Sequence, residues 1–323
     1  MAIAVACLGL GLTACTPATP AASGADPAAS ASEQTQTQTV ETVTVKDATG
    51  VDVTVPYQPK KVVALMSSYL QAWQLAGGEV VGTTNDSVKE RDFDLPESVM
   101  LTDTMRPSAE DIMALDPDFV ILSGSLSYHV DAAAVLEKAG IPVYKAQIDT
   151  FDQYLDALKA FTTITGRDDL YTQNGTDVQA DIDAVKAQLP ANLADESFLF
   201  LRATSSKLRA QVDGYVAVDI LNEFGLENVA SNGEPAGEQL LDDLSLEGII
   251  TANPKWIFIE THGDLEGAEA LLDQELRSNP AWASLDAVVN DRVVMLPVDL
   301  FHFKPNNRWN EAYQYLLDTL VAE

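Results

Sequence analysis

The sequence predicts an α/β protein of two lobes joined by a single long helix. Three observations carry that prediction. Short apolar or β-branched runs alternate with helical stretches in both halves of the chain, strand signals stop between residues 151 and 189, and a helix-plus-strand unit recurs in the two halves. The expected boundaries are an N-terminal lobe over 42–166, a linking helix over 167–190 and a C-terminal lobe over 191–323.

In chain order, Val43-Thr44-Val45 and Val51-Asp52-Val53-Thr54-Val55 alternate about the turn Asp47-Ala48-Thr49-Gly50, which reads as a β-hairpin. Val62-Val63-Ala64-Leu65 is a buried strand. A helix then runs through Leu75, with Ser67 or Ser68 as its expected cap and Gly77-Gly78 as its stop. Val80-Val81-Gly82 reads as a strand, Pro107 to Leu115 as a helix capped by Ser108, Phe119-Val120-Ile121-Leu122 as a strand, a helix ends at Gly140, and Ile141-Pro142-Val143-Tyr144 is one more strand. Strands alternating with helices imply a mostly parallel, Rossmann-like sheet covered on both faces.

Residues 151–165 and 168–189 are helical in pattern, the second with Val178, Ile182, Val185 and Leu189 on one stripe. Past Pro190 the alternation resumes with Phe198-Leu199-Phe200-Leu201, helices over 216–224 and 245–252, strands at 254–259 and 293–296, and a closing helix over 307–321. The units 109–120 and 246–257 resemble each other, Asp116-Pro117-Asp118-Phe119 answering Asn253-Pro254-Lys255-Trp256, as a duplicated topology would require.

At 323 residues and 46% hydrophobic content the chain can fill two ordinary cores. Its 19 Lys+Arg against 49 Asp+Glu leave a formal charge of −30, which repels nucleic acid. The apolar run from Ala2 to Leu12 is too short to span a bilayer, and with Leu12-Thr13-Ala14-Cys15 it reads as a signal segment over 1–15 ending in a lipobox. Cleavage before Cys15 and acylation of that residue would anchor the chain. No Lys or Arg precedes Cys15, so the positive region of such a signal is missing and the true start is expected upstream. Residues 16–41 are Ala, Pro, Thr, Ser, Gly and Gln, a stalk that cannot repay its ordering entropy. Both cysteines, Cys7 and Cys15, fall in this leader, which removes thiol catalysis and zinc-thiolate sites from the mature part. Motifs of zinc hydrolases, serine hydrolases and phosphate-binding loops are absent from the sequence, so no enzyme is expected.

The hairpin with Pro59-Lys60-Lys61, the segment from Pro107-Ser108-Ala109-Glu110 to Asp118, residues 136–143, and Asn279-Pro280-Ala281-Trp282 together resemble the substrate-binding proteins of siderophore, heme and cobalamin ABC importers. That resemblance implies a ligand cleft between the lobes, a permease and an ATPase as partners, a monomer, and a place on the extracellular face of a cell membrane, as in Gram-positive bacteria. It is nearest to IsdE-type heme-binding lipoproteins. Their Met-Ser-Pro-Asp-type segment resembles Met105-Arg106-Pro107-Ser108, and their His-Gly resembles Glu260-Thr261-His262-Gly263, which makes Met105 and His262 the expected axial ligands of heme iron. A thioether and a neutral imidazole suit that role.

Of three histidines, His302 in Phe301-His302-Phe303-Lys304 is the rival to His262, and His129 beside Tyr128 reads better as a surface residue. Met66, Tyr69, Tyr215, Phe301 and Phe303 are expected at the pocket, with Arg308 or Lys304 toward carboxylates of the ligand. The resemblance also implies that Glu110 and Glu247, one on each recurring unit, dock on the permease. The alternative cargo is a ferric siderophore or cobalamin.

Overall fold

The computed structural model describes residues 41–232 and 246–322. Cys15, the signal segment and residues 16–40 of the stalk lie outside the described residues, as does the side chain of Glu247. Strands β1 (Thr42–Lys46) and β2 (Asp52–Pro56) form the expected antiparallel hairpin, with Val43 opposite Val55 and Lys46 opposite Asp52. The Asp47 carboxylate closes its turn by accepting from the Thr49 and Val51 N–H groups, and Gly50 takes the left-handed position at φ 82°.

The first sheet is wholly parallel. β3 (Val62–Ala64), β4 (Gly82–Thr84), β5 (Met100–Thr102), β6 (Phe119–Ser123) and β7 (Val143–Ala146) lie in the order β5-β4-β3-β6-β7. β3 and β6 are buried throughout, as strands covered on both faces must be. Alternate residues go to opposite faces. Val62, Ala64, Phe119 and Ile121 meet Trp73 and Phe161, while Val63, Val120 and Leu122 meet Ile112, Ala133 and Leu136. β4 starts two residues later than the sequence suggests, and β5 is a strand that its weak Met-Leu-Thr pattern conceals.

The second sheet takes the order β10-β8-β11-β12, all parallel, from β8 (Ser197–Ala203), β10 (Glu227–Asn228), β11 (Trp256–Thr261) and β12 (Val293–Met295), and β9 (Leu208–Ala210) pairs antiparallel with β8. Phe198, Phe200 and Phe258 face the helices Val216–Glu223 and Trp309–Val321, and Leu199, Leu201, Ile257 and Ile259 face Leu272 and Trp282.

Between the sheets, Phe151–Thr165 starts on a Thr150/Gln153 capping box and stops at Gly166, which has φ 72°. The next helical segment runs through Asp168–Tyr171, a π turn at Thr172–Thr176 and Asp177–Lys186. Its buried Val178, Ile182 and Val185 are the stripe read from sequence, but it ends at Lys186 and not at 189. The π turn stands where Gly175 approaches Leu155 and Leu158, and Asn174 there donates to the Leu75 carbonyl and accepts, through its own carbonyl, from Tyr154 Oη.

The cap of the first helix is a correction. Ser67–Leu75 is preceded by Met66 at φ 74°, and no serine hydroxyl caps it. The Ser67 N–H donates instead to Asp86 Oδ2 at 2.9 Å, so the partner comes from the neighbouring strand's loop.

Candidate functional site: the C-terminal edges of the two sheets

Parallel strands with helices on both faces leave their C-terminal ends free to carry polar loops, and ligands of open α/β sheets bind there. On the first sheet, Asp86 knots these loops together. It accepts from the Ser67 N–H and from Thr104 Oγ1 at 3.0 Å, while the Met66 N–H donates to Thr84 Oγ1 at 2.7 Å. Burial works to raise the Asp86 pKa, but hydrogen bonds from Thr84 and Ser67 outweigh it and hold the carboxyl below its ordinary value.

After β5, the Asp103 carboxylate accepts from the N–H groups of Met105 and Arg106, turning the chain so that the Met105 side chain is 53% exposed. A thioether this exposed is not filling a core gap. Arg106 lies over the Tyr128 ring at 4.8 Å and donates to its hydroxyl at 3.1 Å. His129 is fully buried and not at the surface, which corrects its sequence reading. Its Nδ1 accepts from the Ser123 N–H at 3.1 Å and its Nε2–H donates to the Thr104 carbonyl at 2.7 Å, which fixes a neutral tautomer. Burial pushes its pKa down.

On the second sheet, β8 carries Arg202, β11 carries Glu260 and is followed at once by His262, and His302 caps the C-terminus of the short helix Val298–Phe301 after β12. The two imidazole rings lie 4.1 Å apart at 36°. His302 Nδ1 is 3.0 Å from Glu260 Oε1, and Arg202 Nε is 3.4 Å from the same oxygen. Arg202 Nη1 donates to the Tyr215 hydroxyl at 3.0 Å. Glu260 is 1% exposed and its Oε2 has no hydrogen-bond partner among the described residues. Burial first, then His302 and Arg202, lower the His262 pKa to about 4, so its imidazole is neutral near pH 7.

The stretch 302–306 ties the histidine edge to the first sheet. Arg91 is sandwiched between Phe93 at 5.0 Å and Phe303 at 5.1 Å and donates to Gln71 Oε1 at 2.8 Å; burial lowers its pKa to about 10. Lys304 pairs with Asp149 at 2.8 Å. Asn306, fully buried at φ 53°, donates to the Ser68 carbonyl at 3.1 Å and to Gln71 Oε1 at 2.7 Å. The paired histidines therefore sit beside the junction of the two sheets.

The other residues singled out from sequence divide. Tyr215 joins the histidine cluster and Met66 is half-buried at the first sheet's edge. Phe301 is only 2% exposed and packs on Tyr315 at 5.5 Å, which takes it off any open wall. Tyr69 is buried, donates to the Ala146 carbonyl, and burial pushes its pKa up to about 12. Arg308 is held by Glu311 and Asp299, so its guanidinium is committed away from a ligand. Glu110 is exposed in the first turn of Ala109–Ala114, a helix that Ser108 caps as expected.

Sequence reading missed Glu260, Arg202 and Arg91 as site residues. A carboxylate ending the apolar run Trp256-Ile257-Phe258-Ile259 was the available signal for the first. A cavity of about 470 Å³ between the hairpin and Phe151–Thr165 holds none of the histidines, and the chemistry of the strand ends outweighs its size. No cluster of three or more metal-ligating side chains occurs among the described residues.

Known proteins resemble this chain in sequence and fold. The chain is 24% identical over 265 residues to the uncharacterized ABC transporter substrate-binding lipoprotein YvrC of Bacillus subtilis (strain 168), covering 80% of this chain and 79% of that protein. The catecholate-siderophore binding protein VctP of Vibrio cholerae superposes with a TM-score of 0.67 at 16% identity, over 87% of this chain and all of that one. S. aureus IsdE complexed with heme gives 0.64 at 17%, over 81% of this chain and 99% of that one. At those identities the two structures speak for the fold. The family model described as "Periplasmic binding protein" matches residues 62–300, from β3 into the helix Val298–Phe301, and the chain belongs to that family.

Proposed function

We propose that this chain is the substrate-binding lipoprotein of an ABC importer and that its cargo is heme. The paired imidazoles of His262 and His302 at the C-terminal edge of the second sheet carry the reading. Each sheet with its helices forms one lobe, the Asp168–Lys186 segment joins them, and heme lies in the cleft between the strand ends. Met105 supplies one axial ligand from the first lobe and a histidine of the pair the other. Six-coordinate iron leaves no open position, so the protein binds without catalysing. Cys15 carries the lipid anchor to the outer face of the membrane, and Glu110 and Glu247 of the monomer dock on the permease, which works with an ATPase. Likeness to YvrC, named as an uncharacterized ABC transporter substrate-binding lipoprotein, supports the importer and lipoprotein parts of this reading.

A ferric siderophore is the second reading, favoured by Arg202 and by the exposed Arg106–Tyr128 stack, which suit an anionic aromatic ligand. Mixing the protein with hemin separates the two. A low-spin absorption spectrum that turns high-spin in Met105→Ala supports heme, and an unshifted Soret band sinks it.

A further inference from the structure

Resting on the heme reading, we infer that His302, through Nε2, is the histidine that ligates iron, and that Glu260 is the residue that positions it. Glu260 Oε1 lies 3.0 Å from Nδ1, so with a carboxylate there Nδ1–H is the donor and the ring's lone pair is left on Nε2. Nδ1 makes the only hydrogen bond of the His302 ring to the described residues, and the side chain is 14% exposed, so the ring has one orientation and one free donor atom. Metal-bound histidines nearly always give their second N–H to a carboxylate, carbonyl or water, which fixes the tautomer and raises ligand basicity.

His262 lacks that arrangement. Its backbone N–H donates to the Ala203 carbonyl, but neither ring nitrogen has a hydrogen-bond partner among the described residues, and the ring leans on His302. It packs the ligand's neighbour and leaves the tautomer undefined.

Glu260 supports the assignment independently. A carboxylate 1% exposed at a strand end, with Oε2 unpartnered among the described residues and Arg202 Nε 3.4 Å from Oε1, is expensive to keep. Its cost is explained if it orients a ligating imidazole. The stretch that follows His302 is fastened to the first sheet by Phe303 and Asn306, which places Nε2 near the junction where a ligand between the sheets would lie.

Two measurements test this, one of them without cargo. In the apo protein, ¹⁵N NMR of the histidine rings should show His302 protonated at Nδ1 and bare at Nε2; an Nε2–H tautomer would overturn the assignment whatever the cargo is. With hemin, His302→Ala should lose the low-spin bands, whereas His262→Ala should keep them with weakened affinity; the reverse pattern refutes the inference while leaving heme binding standing. Glu260→Gln, nearly isosteric, should keep low-spin iron but weaken hemin binding about 10–100-fold and raise the iron reduction midpoint. Unchanged affinity and midpoint in that variant would reduce Glu260 to a structural group. Failure of the wild type to shift the Soret band at all would count against heme, and the apo tautomer would still decide the Glu260–His302 pairing.

Discussion

At the scale of single residues, buried polar groups organise both edges. His129 joins the β6 loop to the Thr104 carbonyl only in its neutral form, because Nδ1 must accept while Nε2–H donates. Burial lowers its pKa, with the Thr104 carbonyl and Asp86 pulling the other way. The unfolded chain therefore binds this proton more readily than the folded one. The contribution to stability is complete above about pH 6.5, the ordinary histidine value, and is lost as pH falls below it toward the folded value. Carboxylates such as Asp86 act in the same direction at lower pH, so His129→Gln is the control. Urea midpoints measured between pH 7 and 5.5 should fall more steeply for the wild type than for the variant, and parallel slopes would contradict this. Sequence ranked the three histidines, with His262 as the expected ligand, His302 as its rival and His129 at the surface, and the structure buries His129 instead. Burial and partner atoms distinguish them, and both depend on residues far away in the chain, such as Thr104 for His129 and Glu260 for His302.

At the scale of elements, the legible parts are those with a local cause. The hairpin follows from alternation about Asp47 to Gly50, the Ser108 cap from its place before Ala109–Ala114, and Phe151–Thr165 from a capping box and a C-terminal glycine. The elements missed or misplaced have non-local causes. β5 is a strand because β4 pairs with it, and the first helix borrows Asp86 for its N–H. Asn306 belongs to the same class, since a positive φ and two hydrogen bonds to the first helix make it the clasp of the 302–306 stretch. Asn306→Ala should destabilise by about 2–4 kcal/mol, from two lost hydrogen bonds and a left-handed alanine. Asn306→Gly should recover about 1 kcal/mol of that, because glycine takes this backbone freely. Equal losses in the two variants, read from denaturant unfolding, would show that the backbone is not strained there.

At the scale of the whole molecule, the two parallel sheets, their order and their shared apolar core turn both sets of strand ends into polar edges, with 302–306 crossing between them. The alternation of strands and helices was readable because the central parallel strands β3, β6, β8 and β11 are runs of mostly apolar residues, whereas β5 (Met-Leu-Thr) and β10 (Glu-Asn) are not. The composition of the site was not readable, because Arg91, Arg202 and Glu260 come from separate elements and acquire meaning only when folding brings them beside Phe303, Tyr215 and His302.

Thermal unfolding with a panel of hemin, a ferric catecholate siderophore and cobalamin decides the cargo. A ligand at 100 times its Kd stabilises the native state by about 2.7 kcal/mol, enough to raise the midpoint by several degrees. Hemin alone is expected to give that rise. A rise with the siderophore or cobalamin and none with hemin would contradict it.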